Sequence, residues 1–142
     1  MSILILNLSQ RRLGTSALLG RLMQEQLGEQ TQLWSCLDIE AAWDSFLEAA
    51  GLADTWIFIT PCYVNAIPGD AVEVLAKLHQ AELSRNKYVY AIAQGGMPYT
   101  HTHHCCIGNI ELFAKAMQQR WMGGLIIGGG AIIDGVTLKL SL

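Results

Sequence analysis

Charge is scarce in this chain. Of its 142 residues only 15% are Asp, Glu, Lys or Arg, and the net charge is −3. Without a basic field the chain has nothing to hold a nucleic-acid backbone or an acidic membrane surface. Basic residues are also missing ahead of the first apolar run, "MSILILNLSQ", and that run is short. No secretory signal is therefore expected. Long apolar runs are absent as well. The richest, Gly123 to Ile133, is too short and too rich in glycine to span a bilayer. The four cysteines, Cys36, Cys62, Cys105 and Cys106, show no CxxC spacing. Reduced thiols in a cytoplasmic protein are the expectation. His101, His103 and His104 precede the vicinal cysteines, which invites a metal reading. Adjacent side chains point apart on a helix or strand, however, and no second cluster completes a tetrahedral set, so no metal is expected.

What is present is apolar. Hydrophobic residues make up 51% of the chain, enough for a substantial core in one domain, residues 1–142. Strand-like runs alternate with helical patterns. Ile3 to Leu8 is a continuous β-rich run. Leu18, Leu19, Leu22, Met23 and Leu27 then recur at helical spacing, with Gly28 as a stop. Gln32 to Leu37 reads as a short second strand. Asp38 is placed to cap a helix from Ile39 to Ala50 that ends at Gly51. Thr55 to Thr60 is the third strand, broken by Pro61. A helix from about Gly69 to Leu83 turns Val72, Leu75, Ala76 and Leu83 to the sheet. Lys87 to Ala93 is the fourth strand. A helix from about Gly108 to Arg120 faces Leu112, Phe113 and Met117 inward, and Gly123 to Gly128 is the fifth strand. This alternation implies βαβ units and an α/β fold with a parallel sheet, whose strands are apolar because both faces are covered.

Ligands of such sheets sit at the carboxyl ends of the strands. Three loops lie there. The first, "SQRRLGTS", joins an apolar run to a helix and offers Ser9, Thr15 and Ser16 hydroxyls, Arg11 and Arg12, and Gly14 for close backbone approach. No Gly-Lys-Ser/Thr follows, which excludes a Walker loop. The loop reads equally as a phosphate cradle at a helix start or as a plain helix cap with solvated arginines. In the second loop Pro61 and Pro68 bracket Cys62, Tyr63, Val64, Asn65, Ala66 and Ile67. A stiff rim of this kind suits a flat polar heterocycle, and an ordinary strand-to-helix connection explains it too. The third holds Gly95, Gly96, Met97, Pro98 and Tyr99, whose glycines let backbone approach a ligand, followed by histidines suited to a ligand mouth.

Taken in order, the three loops resemble those of the flavodoxin-like NADPH-dependent FMN reductases, also known as NAD(P)H-dependent oxidoreductases or quinone reductases. Their first loop reads Gly-Ser-Pro-Arg-x-x-Gly-Asn-Thr; this chain keeps Ser9, Arg11 and Gly14, puts Ser16 at the threonine position, and replaces the proline with Gln10 and the asparagine with Thr15. Their second reads Ser-Pro-x-Tyr-x-x-x-x-Pro; Pro61, Tyr63, Pro68 and Gly69 are kept. "GGMPYTHTHH" and "WMGGLIIGGGAI" are similar to the corresponding stretches of a bacterial branch. The resemblance implies a flavodoxin-like three-layer sandwich with a five-stranded parallel sheet in the order 2-1-3-4-5 and a final helix that is short or missing. It implies FMN, with its phosphate on Ser9, Arg11, Thr15 and Ser16 beside Gly14. Pro61, Cys62, Tyr63, Val64 and Asn65 would contact the isoalloxazine, and Gly95, Gly96 and Met97 would flank its other side. NAD(P)H would be the hydride donor and a small molecule the electron acceptor. The flavin performs that chemistry, so no catalytic acid or base is assigned. The short remainder after Ile133 leaves one face of the edge strand bare, for which a homodimer or higher homo-oligomer is the expected cover. An electron carrier and a cofactor-free oligomeric interaction domain of the same fold are the alternatives.

Overall fold

The computed structural model describes residues 1–63, 65–97 and 100–129. Five parallel strands form one sheet: β1 (Ile3–Asn7), β2 (Thr31–Ser35), β3 (Thr55–Pro61), β4 (Tyr88–Gln94) and β5 (Arg120–Ile127), in the order β2-β1-β3-β4-β5. This is the order and class expected. The connecting helices are α1 (Thr15–Leu27), α2 (Cys36–Ile39), α3 (Trp43–Leu52), α4 (Gly69–Gln80) and α5 (His104–Ala116), the last preceded by a 3₁₀ turn, Thr100–His103. None of the described helices is long and apolar enough to cross a membrane. The expected short or missing final helix falls in residues 130–142, outside the described residues.

The inner strands are apolar throughout because alternate residues feed two cores. On one side Leu4, Leu6, Trp56, Phe58, Val89, Ala91 and Ala93 pack under α3, α4 and α5, with Phe46, Leu78 and Ile110 buried among them. On the other, Ile3, Ile5, Ile57, Ile59 and Ile92 meet Leu19, Met23 and Leu27 of α1. Beyond α1, this second side carries exposed Tyr90, Met122 and Leu125 over an apolar cavity of about 560 Å³.

Several boundaries differ from the sequence expectation. The helix expected over 39–50 is two helices. Ser35, not Asp38, is the cap: its hydroxyl accepts from the Leu37 N–H at 3.2 Å, so α2 starts early and Asp38 falls inside it. The chain then breaks at Ala42, and α3 runs through Gly51 to Leu52. Inward positions also shift. In α4 the buried residues are Ala71, Leu75 and Leu78, which leaves Val72 51% exposed and Ala76 exposed. Starting four residues early, α5 buries Cys106, Ile110, Phe113 and Ala114, and leaves Leu112 68% exposed. β5 likewise begins at Arg120, with a bulge where Met122 is skipped between the Val89–Trp121 and Tyr90–Gly123 pairs.

Candidate functional site

The strand order changes direction between β1 and β3, and there the loops after β1, β3 and β4 meet. They line one cavity of about 180 Å³, built from Ser9, Arg11, Gly14, Thr15, Pro61, Cys62, Tyr63, Gln94, Gly95 and Gly96. Nine of these were named from sequence; Gln94 was not.

The first loop is shaped by its own polar groups. The Ser9 N–H donates to Asn7 Oδ1 at 2.9 Å, and Ser9 Oγ accepts from the Arg11 N–H at 3.1 Å. These local bonds turn the chain sharply out of β1. Gly14 is the N-cap residue of α1, with no side-chain cap bond and no acidic residue in the first turn. The first turn of α1 thus carries no carboxylate of its own, and its positive dipole end lies at Gly14 and Thr15, which line the cavity. Arg11 folds over Gly14, where a Cβ would lie 3.2 Å from Arg11 Cβ and 3.6 Å from Arg11 Cζ. Arg12 is turned away, paired with Asp38 at 3.0 Å, and that carboxylate holds its pKa above the ordinary value. Gln10 bonds to Asp70 at the start of α4. Ser16 is fully buried, and its hydroxyl accepts from Gln94 Nε2 at 3.0 Å, so it ties α1 to the end of β4 and does not line the cavity.

In the second loop the Cys62 N–H donates to the Gln94 carbonyl at 2.7 Å, which extends the β3–β4 ladder past Pro61. Tyr63 and Ala66 exchange both backbone bonds at 2.8 and 3.0 Å, closing a tight turn with Asn65 at φ 60°. Asparagine accepts this left-handed conformation more readily than most residues. Tyr63 lies on the cavity and Asn65 outside it; Val64 is outside the described residues.

The third loop is braced from behind. His103 is 1% exposed, and its Nε2 bonds to the Met97 carbonyl at 3.1 Å, while Nδ1 has no partner. The Gly129 N–H donates to the same carbonyl at 2.9 Å. Gly95 faces the ring: a Cβ there would lie 2.5 Å from His103 Cε1 and 3.3 Å from Cys62 Cβ. Only glycine lets the strand end, the imidazole and Cys62 share this space. Met97 itself is 55% exposed and outside the cavity lining. Pro98 and Tyr99 are outside the described residues. His101 and His104 are exposed, so the histidines diverge from one another as adjacent residues should. Cys105 and Cys106 diverge in the same way, one exposed and one buried. The described residues contain no group of three or more His, Cys, Asp or Glu able to hold a metal ion. Burial and contact with Cys62 push the Cys106 thiol up to about 12.

The loop set fits a flat ligand with an anionic tail. The α1 start, free of acidic residues, and the Ser9, Arg11 and Thr15 side chains suit a phosphate, and the Gly14 and Gly95 cradles admit close approach. A larger cavity, against the face that α1 covers in part, is lined mainly by apolar residues such as Met1, Met23, Met122 and Leu125, with hydroxyls only from Thr55 and Tyr90 among its described lining residues.

No family model and no curated protein matches the sequence. Solved structures do match the fold. RosB, solved with the intermediate 8-demethyl-8-formylriboflavin-5′-phosphate bound, aligns with TM-score 0.72 at 20% identity, over 97% of this chain and 68% of that one. A flavodoxin from Pseudomonas aeruginosa aligns with TM-score 0.68 at 13% identity, over 90% and 84% of the two chains. An NADPH-quinone reductase from P. pentosaceus gives 0.66 at 13%, over 91% and 86%. The chain therefore has the flavodoxin-like fold, with a three-loop cavity at the carboxyl edge of its sheet.

Proposed function

We propose that this chain binds FMN in the three-loop cavity and works as an NAD(P)H-dependent oxidoreductase. The observation that carries the reading is the convergence of the loops after β1, β3 and β4 on one cavity at the start of α1. Ser9, Arg11, Thr15 and the first N–H groups of α1 would hold the phosphate. Pro61, Cys62 and Tyr63 would meet one side of the ring, and Gly95 and Gly96 the other. Ser16 and Gln94 act beneath, by fixing the distance between α1 and β4. When bound, the flavin supplies the hydride acceptor, and the chain's own residues position and shield it. The structures of RosB and the quinone reductase support this reading by shared fold.

The test has two parts. Purified chain titrated with FMN should quench flavin fluorescence with saturation. Loaded protein should then oxidise NADPH or NADH repeatedly in the presence of a small quinone. Binding without turnover points to an electron carrier. No binding at all removes the flavin reading. A homo-oligomer belongs to the same proposal, since a second copy would cover exposed Tyr90, Met122 and Leu125. Light scattering that shows a monomer at all concentrations would remove that part alone.

A further inference from the structure

The second arginine of "SQRRLGTS" plays no part in the three-loop cavity. Arg12 lines a separate cavity of about 240 Å³ at the carboxyl ends of β1 and β2, together with Asn7, Arg21, Ser35 and Asp38. The first loop serves both cavities: Ser9 and Arg11 line one, and Arg12, with Asn7 just before the loop, lines the other. Asn7 is 4% exposed, and its Oδ1 is taken by the Ser9 N–H. Its amide NH₂ donates to no described group and stays open to the cavity. Arg21 stands one turn after Ala17 on α1, and Ala17 lines the same cavity. Helix side chains lean toward the N-terminus, which carries the Arg21 guanidinium toward the carboxyl edge of the sheet. Arg21 makes no ion pair or hydrogen bond among the described residues. Ser35 Oγ accepts from the Leu37 N–H, which leaves its proton to donate. Asp38 is the one carboxylate among the described lining residues, and Arg12 grips both its oxygens at 3.0 and 3.3 Å. That pair cancels, so Arg21 gives the cavity a net positive charge.

We propose that this cavity takes the 2′-phosphoribose end of NADPH and so selects NADPH over NADH as the hydride donor. The inference rests on the NAD(P)H reading of the proposed function. A guanidinium, an amide NH₂ and a hydroxyl together suit a phosphate, and arginine is the cation best shaped for one. Asp38 adds an acceptor, which a phosphate repels and a neighbouring hydroxyl satisfies. A phosphate beside a hydroxyl is what a ribose 2′-phosphate with its 3′-hydroxyl presents. Arg21, the Asn7 NH₂ and Ser35 would meet the phosphate, and Asp38 would accept from the 3′-hydroxyl while Arg12 holds it in place. NADH carries a hydroxyl where NADPH carries the phosphate, so it would leave Arg21 and the buried Asn7 donor without an anion.

The probe is 2′,5′-ADP, the phosphorylated adenosine end of NADPH, titrated by calorimetry into the flavin-free chain. The comparator is 5′-AMP, the same fragment without the 2′-phosphate. Saturable binding of 2′,5′-ADP, tighter than 5′-AMP by about tenfold or more, is expected, since one charge-assisted contact is worth about that factor. Arg21→Gln changes an exposed side chain, so the fold should survive. It should erase the difference between the two nucleotides and leave FMN titration unchanged. Asn7→Asp keeps an acceptor for the Ser9 N–H, turns the free donor into an acceptor, and should also weaken 2′,5′-ADP. Arg11→Ala should leave 2′,5′-ADP binding as in the parent. Equal affinity for the two nucleotides would overturn the proposal. So would a 2′,5′-ADP affinity that falls with Arg11→Ala but not with Arg21→Gln, or one that inorganic phosphate matches. FMN binding without 2′,5′-ADP binding sinks this inference alone; the reverse pattern removes the flavin and supports the nucleotide site.

Discussion

Gly95→Ala tests the construction of the site most sharply. The added Cβ would lie 2.5 Å from His103 Cε1 and 3.1 Å from its Nδ1. Ordinary carbon–carbon contact is about 3.5 Å, so the ring or the strand end must yield by about 1 Å. The ring has little room, being 1% exposed and bonded through Nε2 to Met97 O at 3.1 Å. Overpacking of a tight site costs roughly 1–3 kcal/mol, and loss of the imidazole bond about 1 kcal/mol more. A total of about 2–4 kcal/mol corresponds to a melting point lower by roughly 7–13 °C for a chain of this size. Thermal unfolding followed by circular dichroism measures it. In a His103→Ala background the obstacle is gone, and the same substitution should cost less than about 1 kcal/mol. Gly69→Ala is the control, since nothing lies within 4 Å of its Cβ position and it begins α4. It should be neutral or stabilising by up to about 1 kcal/mol. A Gly95→Ala protein that melts within about 1 °C of the parent would refute the packing argument.

Three further outcomes are expected. Arg11→Ala should weaken FMN more than riboflavin in fluorescence titrations, because only FMN carries the phosphate; equal weakening would take Arg11 out of the phosphate site. Lys87 is buried, with its ammonium donating to the Gly51 carbonyl at 2.7 Å and to that of Ala53. Lys87→Met keeps the apolar stem and removes both donors, for a loss of about 1–3 kcal/mol in urea unfolding; an unchanged midpoint would show the bonds to be worth nothing net. Burial, with Asp70 nearby, pushes the Cys36 thiol up from 9.0 to about 11. The folded chain therefore keeps that proton longer than the unfolded one. Stability from this thiol is constant below about pH 9 and falls as pH rises toward 11. Lys87, lowered by burial, works in the opposite sense, stability rising as pH passes through the ordinary lysine range. Cys36→Ala should flatten the alkaline fall; an unaltered slope would assign it elsewhere.

The parts of the fold legible in the sequence are those set by local pattern. The apolar runs at Ile3 to Leu8 and Thr55 to Thr60 became central strands, and "SQRRLGTS" became the turn into α1. Less legible were features decided by competition among neighbours. Ser35 and Asp38 are both good caps, and the earlier one captured the Leu37 N–H, which moved and split the helix. The inward faces of α4 and α5 differ because large apolar residues also sit on exposed faces: Val72 and Leu112 are 51% and 68% exposed, while the small Ala71 and Ala114 are buried. In the site, the sequence pattern places Gln94 just past the fourth strand, whereas it is the last residue of β4, opposite Pro61, and that place puts it under the loops. The brace from His103 to Met97 O joins the third loop to the turn before α5, and the buried face of His103 depends on where that helix begins.

The central claim is that the three loops form an FMN site, and the most direct measurement is titration of the flavin-free chain with FMN. Saturable quenching of flavin fluorescence, at one FMN per chain and weakened by Arg11→Ala, is the result the account predicts. Flavin that stays fully fluorescent at excess protein would contradict it.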